Sequence, residues 1–192
     1  MKVSAILLAA GLSRRMMGQD KLLLPFKGKI LLQRAVDLLE SLPVYEKILV
    51  TADPRLELIT LTPAVRVVIN HHPEKGQSES LRLGVKAASG DAYFFLAADQ
   101  PRLTLSSLYP MLELIKANVD KIIYPAVNGN PCSPVLFPAL FRSELLGLSG
   151  DTGGRAIRDA HPETCMVYDS EFPEDFIDID CLEDWKKYCN QF

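Results

Sequence analysis

Four stretches of this chain carry residues suited to handling phosphate or a divalent cation, and each follows a strand-like run. The first is Leu8-Ala-Ala-Gly-Leu-Ser-Arg-Arg-Met-Met-Gly-Gln-Asp-Lys21. Gly11 lets backbone N–H groups come close to an anion. Arg14, Arg15 and Lys21 bring positive charge to the same loop. Neither of the common phosphate motifs fits. Gly28-Lys29 precedes Ile30 and lacks the upstream glycine of a P-loop, and Gly11 is followed by Leu12 and Ser13, unlike a dinucleotide fingerprint. On residue types alone, a solvated basic loop and an anion-binding loop fit the segment equally well.

The second is Ala98-Asp99-Gln100-Pro101. An aspartate at a strand end suits Mg²⁺, which takes one or two carboxylates together with phosphate oxygens. A plain turn aspartate before Pro101 is the competing reading. The third, Asp178-Ile-Asp180, offers two more carboxylates, and which of them reaches a site stays open. The fourth runs from Asn70 to Ser80. Adjacent His71 and His72 diverge on an extended chain and make a poor metal pair. Gly76, Ser78 and Ser80 fit contacts to a polar ligand at a helix start.

These residues need a scaffold that brings strand ends together. Val3 to Ala9, Lys47 to Thr51, Val65 to Ile69 and Tyr93 to Ala98 are nearly continuous apolar runs, as in strands buried on both faces. Leu31, Ala35, Leu38, Leu39 and Leu42 repeat with helical spacing up to Pro43. Ser78 is expected to cap a helix carrying Leu81, Val85 and Ala88, and Leu108, Met111, Leu112 and Ile115 form another stripe. Strand alternating with helix predicts an α/β fold with a mostly parallel sheet, whose ligands gather at the carboxyl ends of the strands. Further strands are expected at Ile122 to Val127, Pro134 to Phe137 and Phe176 to Ile179. Further helices are expected near Ser143 to Leu148, Gly153 to Ala160 and onward from Leu182. With no repeat or linker, residues 1–192 read as a single domain.

Composition narrows the class. Of 192 residues, 48% are hydrophobic and 23% charged, enough for a large core and too apolar for disorder. A net charge of −3 argues against nucleic acid as a partner. No apolar run approaches the ~20 residues that span a bilayer. Lys2 leads into a short apolar stretch ending at Arg14 and Arg15 with no cleavage site, so no signal peptide and no membrane partner are expected. Cys132, Cys165, Cys181 and Cys189 lack the spacing of a zinc or disulfide framework. A cytoplasmic location follows as the expectation.

Taken in order, the segments resemble the nucleotidyltransferases of molybdenum-cofactor synthesis, most closely the cytidylyltransferase branch. Leu8 to Lys21 is similar to that family's L-A-[AG]-G-x-S-x-R-M-G-x-x-K, with Met16-Met17 in place of one methionine. Gly76 to Gly84 is similar to G-x-x-x-S-x-x-x-G, and Ala98 to Pro101 to the D-Q-P metal motif. Gly129 to Phe137, Gly150 to Arg155 and Asp178 to Asp184 resemble the remaining motifs, although Cys132-Ser133 and Cys181-Leu182 depart from them.

The resemblance implies a Rossmann-like, single-domain α/β fold of the nucleotide-diphospho-sugar transferase (glycosyltransferase-A) type. It implies transfer of CMP from CTP, or GMP from GTP, to the terminal phosphate of a molybdopterin-type acceptor, with a molybdoenzyme receiving the product. Arg15, Lys21 and Asp99 are then the catalytic residues. Ala9, Ala10, Gly11, Ser13, Arg14, Gly76, Ser80 and Asp99 bind nucleotide, and Asp99 with Asp180 holds Mg²⁺. The Ala9-Ala10-Gly11 sequence favours CTP, because the methyl of Ala10 takes room beside the base. A sugar or polyol phosphate as acceptor, or an inactive nucleotide-binding chaperone, are the competing readings. Lys21 is expected to act on phosphate charge and to matter little for folding.

Overall fold

The computed structural model describes residues 1–13, 16 and 19–189. The elements in chain order are β1 (Val3–Ala9), a short hairpin of β2 (Pro25–Phe26) and β3 (Lys29–Ile30), α1 (Leu31–Ser41), β4 (Glu46–Thr51), α2 (Asp53–Leu56) and β5 (Val65–Ile69). There follow α3 (Gln77–Ala87), β6 (Ala92–Ala97), α4 (Leu105–Ala117), β7 (Ile122–Val127), β8 (Asn130–Pro131) and β9 (Val135–Pro138). The chain continues through α5 (Arg142–Gly147), α6 (Arg155–Ala160), β10 (Cys165–Tyr168) and α7 (Leu182–Cys189).

The main sheet runs in the order β10-β7-β9-β6-β1-β4-β5, with β8 paired to β7. Pairings of β1 with β4 and β6, of β4 with β5, and of β7 with β10 are parallel. Among the described residues, only the contacts of β9 with β6 and β7, and of β8 with β7, are antiparallel within it. The α/β class with a mostly parallel sheet is as the apolar runs predict. Central β1 explains why: alternate residues feed two cores. Val3, Ala5, Leu7 and Ala9 pack with Leu32, Val36 and Leu39 of α1 and Leu108, Met111 and Ile115 of α4. Ile6 on the opposite face packs with Leu81 and Val85 of α3, Leu145 of α5 and Ile157 of α6. A strand buried on both faces has no polar alternation to show.

Helix α3 lies unusually close to the sheet. A Cβ at Gly84 would come within 2.5 Å of Ile6 Cγ2, so only glycine lets the helix seat there. Helix α4 begins with a reciprocal cap: Ser107 N–H donates to Thr104 Oγ1 at 3.2 Å, and Thr104 N–H donates to Ser107 Oγ at 2.9 Å. No helix among the described residues is long and apolar enough to cross a membrane.

Two local expectations need correction, and one strand was missed. Ser78 lies inside α3 and does not cap it; Gly76 holds the cap position, and the Ser78 hydroxyl donates to the Gly150 carbonyl at 2.7 Å. Phe176 to Ile179 is no strand: Pro173–Phe176 forms a turn of 3₁₀ helix. Phe176 and Ile179 are then separate buried anchors in different apolar clusters, so their hydrophobicity does not mark a ladder. Strand β10 went unanticipated because its residues sit at a sheet edge and are mostly half-buried.

Candidate active site

The register explains where the site forms. Leu8 pairs with Val50 on one side and Ala97 on the other, so the segments after β1, β4 and β6 emerge side by side. They open into a cleft of about 940 Å³, large enough for a nucleoside triphosphate and part of a second substrate. Ala10, Gly11, Ser13, Lys21, Gly76, Ser80, Asp99 and Asp180 all line it. Ala9 does not: it is buried behind the wall, and its carbonyl accepts from the Thr51 hydroxyl at 3.4 Å. Arg14 and Arg15 lie outside the described residues.

Lys21 lines the cleft and joins its two sides. Its ammonium pairs with Asp99 Oδ2, donates to the Ile179 carbonyl at 3.2 Å and lies 3.7 Å from Asp180 Oδ1. It reaches this position because the loop before it is closed on itself. The Ser13 hydroxyl donates to Asp20 Oδ1 at 3.2 Å and accepts from Lys21 N–H at 3.1 Å. Asp20 Oδ1 also accepts from Leu22 N–H at 3.1 Å, capping the short helical turn that carries Lys21. The Ser13 side chain is therefore engaged within the loop.

Three carboxylates surround this lysine. Asp178 is largely buried, and burial first, then the charges of Asp99 and Asp180, push its pKa up to about 7, against the pull of Lys21. Asp180 is half exposed. Asp99 Oδ1 is buried and has no hydrogen-bond partner among the described residues. A buried carboxylate oxygen left unmatched is costly unless a cation meets it. That orphaned oxygen, with a second carboxylate at Asp180, fits an oxygen-ligated divalent cation. Cys132, also in the wall, is no nucleophile at neutral pH: burial, reinforced by the Asp178 charge, raises its thiol to about 11.

The far rim is an interlock of two loops. Gly76 has φ +92°, and a Cβ there would collide with the Gly150 carbonyl and lie 2.8 Å from Asp151 N. Gln77 N–H donates to Asp151 Oδ1 at 3.3 Å. Beside this rim, Asn70 Nδ2 donates to Ser80 Oγ at 3.0 Å, fixing the Ser80 hydroxyl at the cleft wall. Arg158 lines the same side, largely buried against the Tyr124 ring at 4.9 Å from its centroid.

Two contributors escaped sequence reasoning. Gln100 Nε2 donates to the carbonyls of Ser133 at 2.9 Å and Phe176 at 3.2 Å. It thereby ties the Asp99 turn to the segments bearing Cys132 and Asp178. The other is Arg55 in α2, buried beneath the Gly11 loop. The signal for the first was its place next to Asp99; a lone arginine after Asp53-Pro54 gave none.

An α/β sheet with a basic loop after its first strand and carboxylates across its carboxyl edge defines a nucleotide-handling class. The chain belongs to the MobA-like NTP transferase domain family, whose profile matches residues 5–165. It is 36% identical over 115 residues to a molybdenum cofactor guanylyltransferase of Syntrophotalea carbinolica, a match taking in 60% of this chain and 52% of that protein's length. It is 30% identical over 196 residues to the purine catabolism protein PucB of Bacillus subtilis, covering 94% of this chain and 92% of that protein.

Among solved structures, Rv0371c from Mycobacterium tuberculosis H37Rv superimposes with a TM-score of 0.85 at 21% identity, over 99% of this chain and 98% of that one. A structure of that protein in complex with manganese has a TM-score of 0.76 at 17% identity, over the whole of both chains. The 4-diphosphocytidyl-2C-methyl-D-erythritol synthase of Anaerococcus prevotii superimposes with a TM-score of 0.77 at 16% identity, over 99% of this chain and 95% of that one. At these identities the structural likenesses establish the shared fold.

Proposed function

We propose that this chain transfers CMP from CTP to the phosphate of a molybdopterin-type acceptor, releasing pyrophosphate. The observation that carries the reading is the meeting of Lys21, Asp99 and Asp180 in the wall of one nucleotide-sized cleft that the Gly11 loop also lines. An anionic phosphate needs little base assistance to attack the α-phosphorus, so catalysis here is positioning and charge neutralisation. Ala10, Gly11, Gly76 and Ser80 enclose the nucleotide. Lys21, with Arg14 and Arg15 from the same loop, balances charge on the phosphates and on the departing pyrophosphate. Asp99 and Asp180 would hold a divalent cation, Mg²⁺ in our reading, which when bound neutralises phosphate charge.

The relative named a guanylyltransferase supports a second reading with GTP as donor. The buried Ala10 methyl beside Gly11 favours the smaller pyrimidine. Pyrophosphate release from CTP, GTP, ATP and UTP, each with a molybdopterin acceptor, tests both. The expected order is CTP first by roughly 10–200-fold, the discrimination one methyl-sized contact supports. Preference for GTP overturns the cytidylyl assignment, and release from none of the four overturns the transferase reading.

A further inference from the structure

The guanidinium of Arg55 sits under the Gly11 loop with all its outward faces used. Its Nε donates to Asp20 Oδ2 at 2.6 Å, one terminal nitrogen donates to the Ala9 carbonyl, and the other donates to the Gly11 carbonyl at 2.6 Å. The side chain is 9% exposed and is absent from the cleft wall, which Ala10, Gly11, Leu12 and Ser13 line from the other side. We propose that Arg55 is a positioning residue for nucleotide binding, which presets the Gly11 loop from behind. The proposal rests on the nucleotide-binding reading of this cleft.

The argument is geometric. In a trans peptide the C=O and the following N–H point opposite ways. Drawing the Ala9 and Gly11 carbonyls onto Arg55 turns the N–H groups of Ala10 and Leu12 away from it, toward the side where the cleft lies. With Gly11 between them, these two N–H groups leave room for an anion to approach the backbone closely. The same guanidinium grips Asp20, and Asp20 holds both Ser13 and the turn that carries Lys21. One side chain thus fixes the start of the loop, its end and the lysine beyond. Arginine suits the task because its planar fork serves three acceptors in fixed directions, whereas a lysine reaches fewer of them at once.

Arg55→Met keeps an unbranched apolar stem and removes every donor. Arg55→Lys restores one charge, and Asp20→Asn weakens the far contact from the opposite side. Calorimetric affinity for Mg²⁺·CTP and Mg²⁺·GTP, without acceptor, is measured for each. Tryptic cleavage after Arg14 and Arg15, inside the loop, is followed alongside thermal melting.

The expected results for Arg55→Met are nucleotide affinity lower by about tenfold or more and cleavage of the loop faster by a similar factor. Arg55→Lys is expected to recover part of both, and Asp20→Asn to lie between. Wild-type affinity in Arg55→Met overturns the proposal. Faster cleavage with unaltered affinity also overturns it, leaving Arg55 a structural strut. If Arg55→Met does not fold, the Arg55→Lys and Asp20→Asn pair decides by the same two readouts. Nucleotide binding without transfer to any acceptor sinks the transferase reading alone. Wild-type protein that binds no nucleotide sinks both.

Discussion

Replacing Asp99 by asparagine separates what this carboxylate does for chemistry from what it does for folding. The change is near-isosteric and removes one negative charge from a cluster that also holds Asp178, Asp180 and Lys21. Two opposing effects act on stability. The Lys21–Asp99 pair, both side chains mostly buried at 16% and 20% exposure, loses its charge assistance, worth about 1.5–3 kcal/mol. Against this, Asp99 raises the Asp178 pKa, so its removal relieves a repulsion. At an effective dielectric of about 20, repulsion between neighbouring carboxylates is on the order of 2 kcal/mol. The two nearly cancel. Asp99→Asn should therefore melt within roughly 2–4 °C of the parent, the shift that about 1 kcal/mol gives a domain of this size.

Turnover should behave otherwise. Loss of one preorganised charge at the reacting phosphates costs about 100- to 1,000-fold. The assay is pyrophosphate release from CTP with a molybdopterin acceptor at saturating Mg²⁺, run beside a thermal melt. Activity within tenfold of the parent would refute the role given to Asp99. A melt lowered by much more than the cancellation allows would show that Asp99 is chiefly structural.

Lys21→Met has the opposite balance: it strips the cation from Asp99, Asp180 and the Ile179 carbonyl. It should cost about 1–3 kcal/mol, below the value for a fully buried pair because the site is partly wet, as well as most activity; a melt unchanged alongside lost activity would return it to a purely phosphate-facing role. Gly76→Ala must hold a side chain at φ +92° against the backbone of Gly150 and Asp151. Strain of about 1–3 kcal/mol should lower the melting temperature and raise the KM for nucleotide. Ala10→Gly should narrow the CTP:GTP ratio of kcat/KM by about tenfold or more while retaining CTP use. His161 has its pKa raised, first by its hydrogen bond with Glu144. Its contribution is thus complete below the unfolded value near 6.5 and is lost as pH rises through the folded pKa. The difference in melting temperature between parent and His161→Gln should shrink from pH 5.5 to pH 8.5, and a flat difference would remove the pair from the stability account.

The strands that build the scaffold were legible because burial on both faces demands continuous apolar runs: Val3–Ala9 and Val65–Ile69 have the bounds the sequence implies. Asp99 was legible as a charge just beyond a strand end; Lys21 and Asp180 were legible as charges, but neither follows a strand directly. Strand β10 was not, since Cys165 to Tyr168 form an edge and carry no strong pattern. Phe176 and Ile179 misled for the converse reason: two buried anchors close in sequence mimic a strand. Gln77 to Ala87 was legible as a helix, but its start was not, because the Ser78 hydroxyl bonds across space to Gly150 and not to its own first turn.

Arg55 shows where sequence reading ends in physical terms. An arginine outside any amphipathic stripe reads as solvated, and nothing local says that three acceptors wait for it from residues more than thirty positions away. The strand register alone makes the segments after Leu8 and Ala97 neighbours. It does not return Lys21 to Asp99 across the dozen residues that follow β1. That return depends on the Ser13–Asp20 clasp and on the guanidinium that holds Asp20 from below. The charges of the site can be read one at a time along the chain; their convergence is a property of the buried polar contacts that bend the loop, and those contacts involve residues with no chemistry of their own to declare.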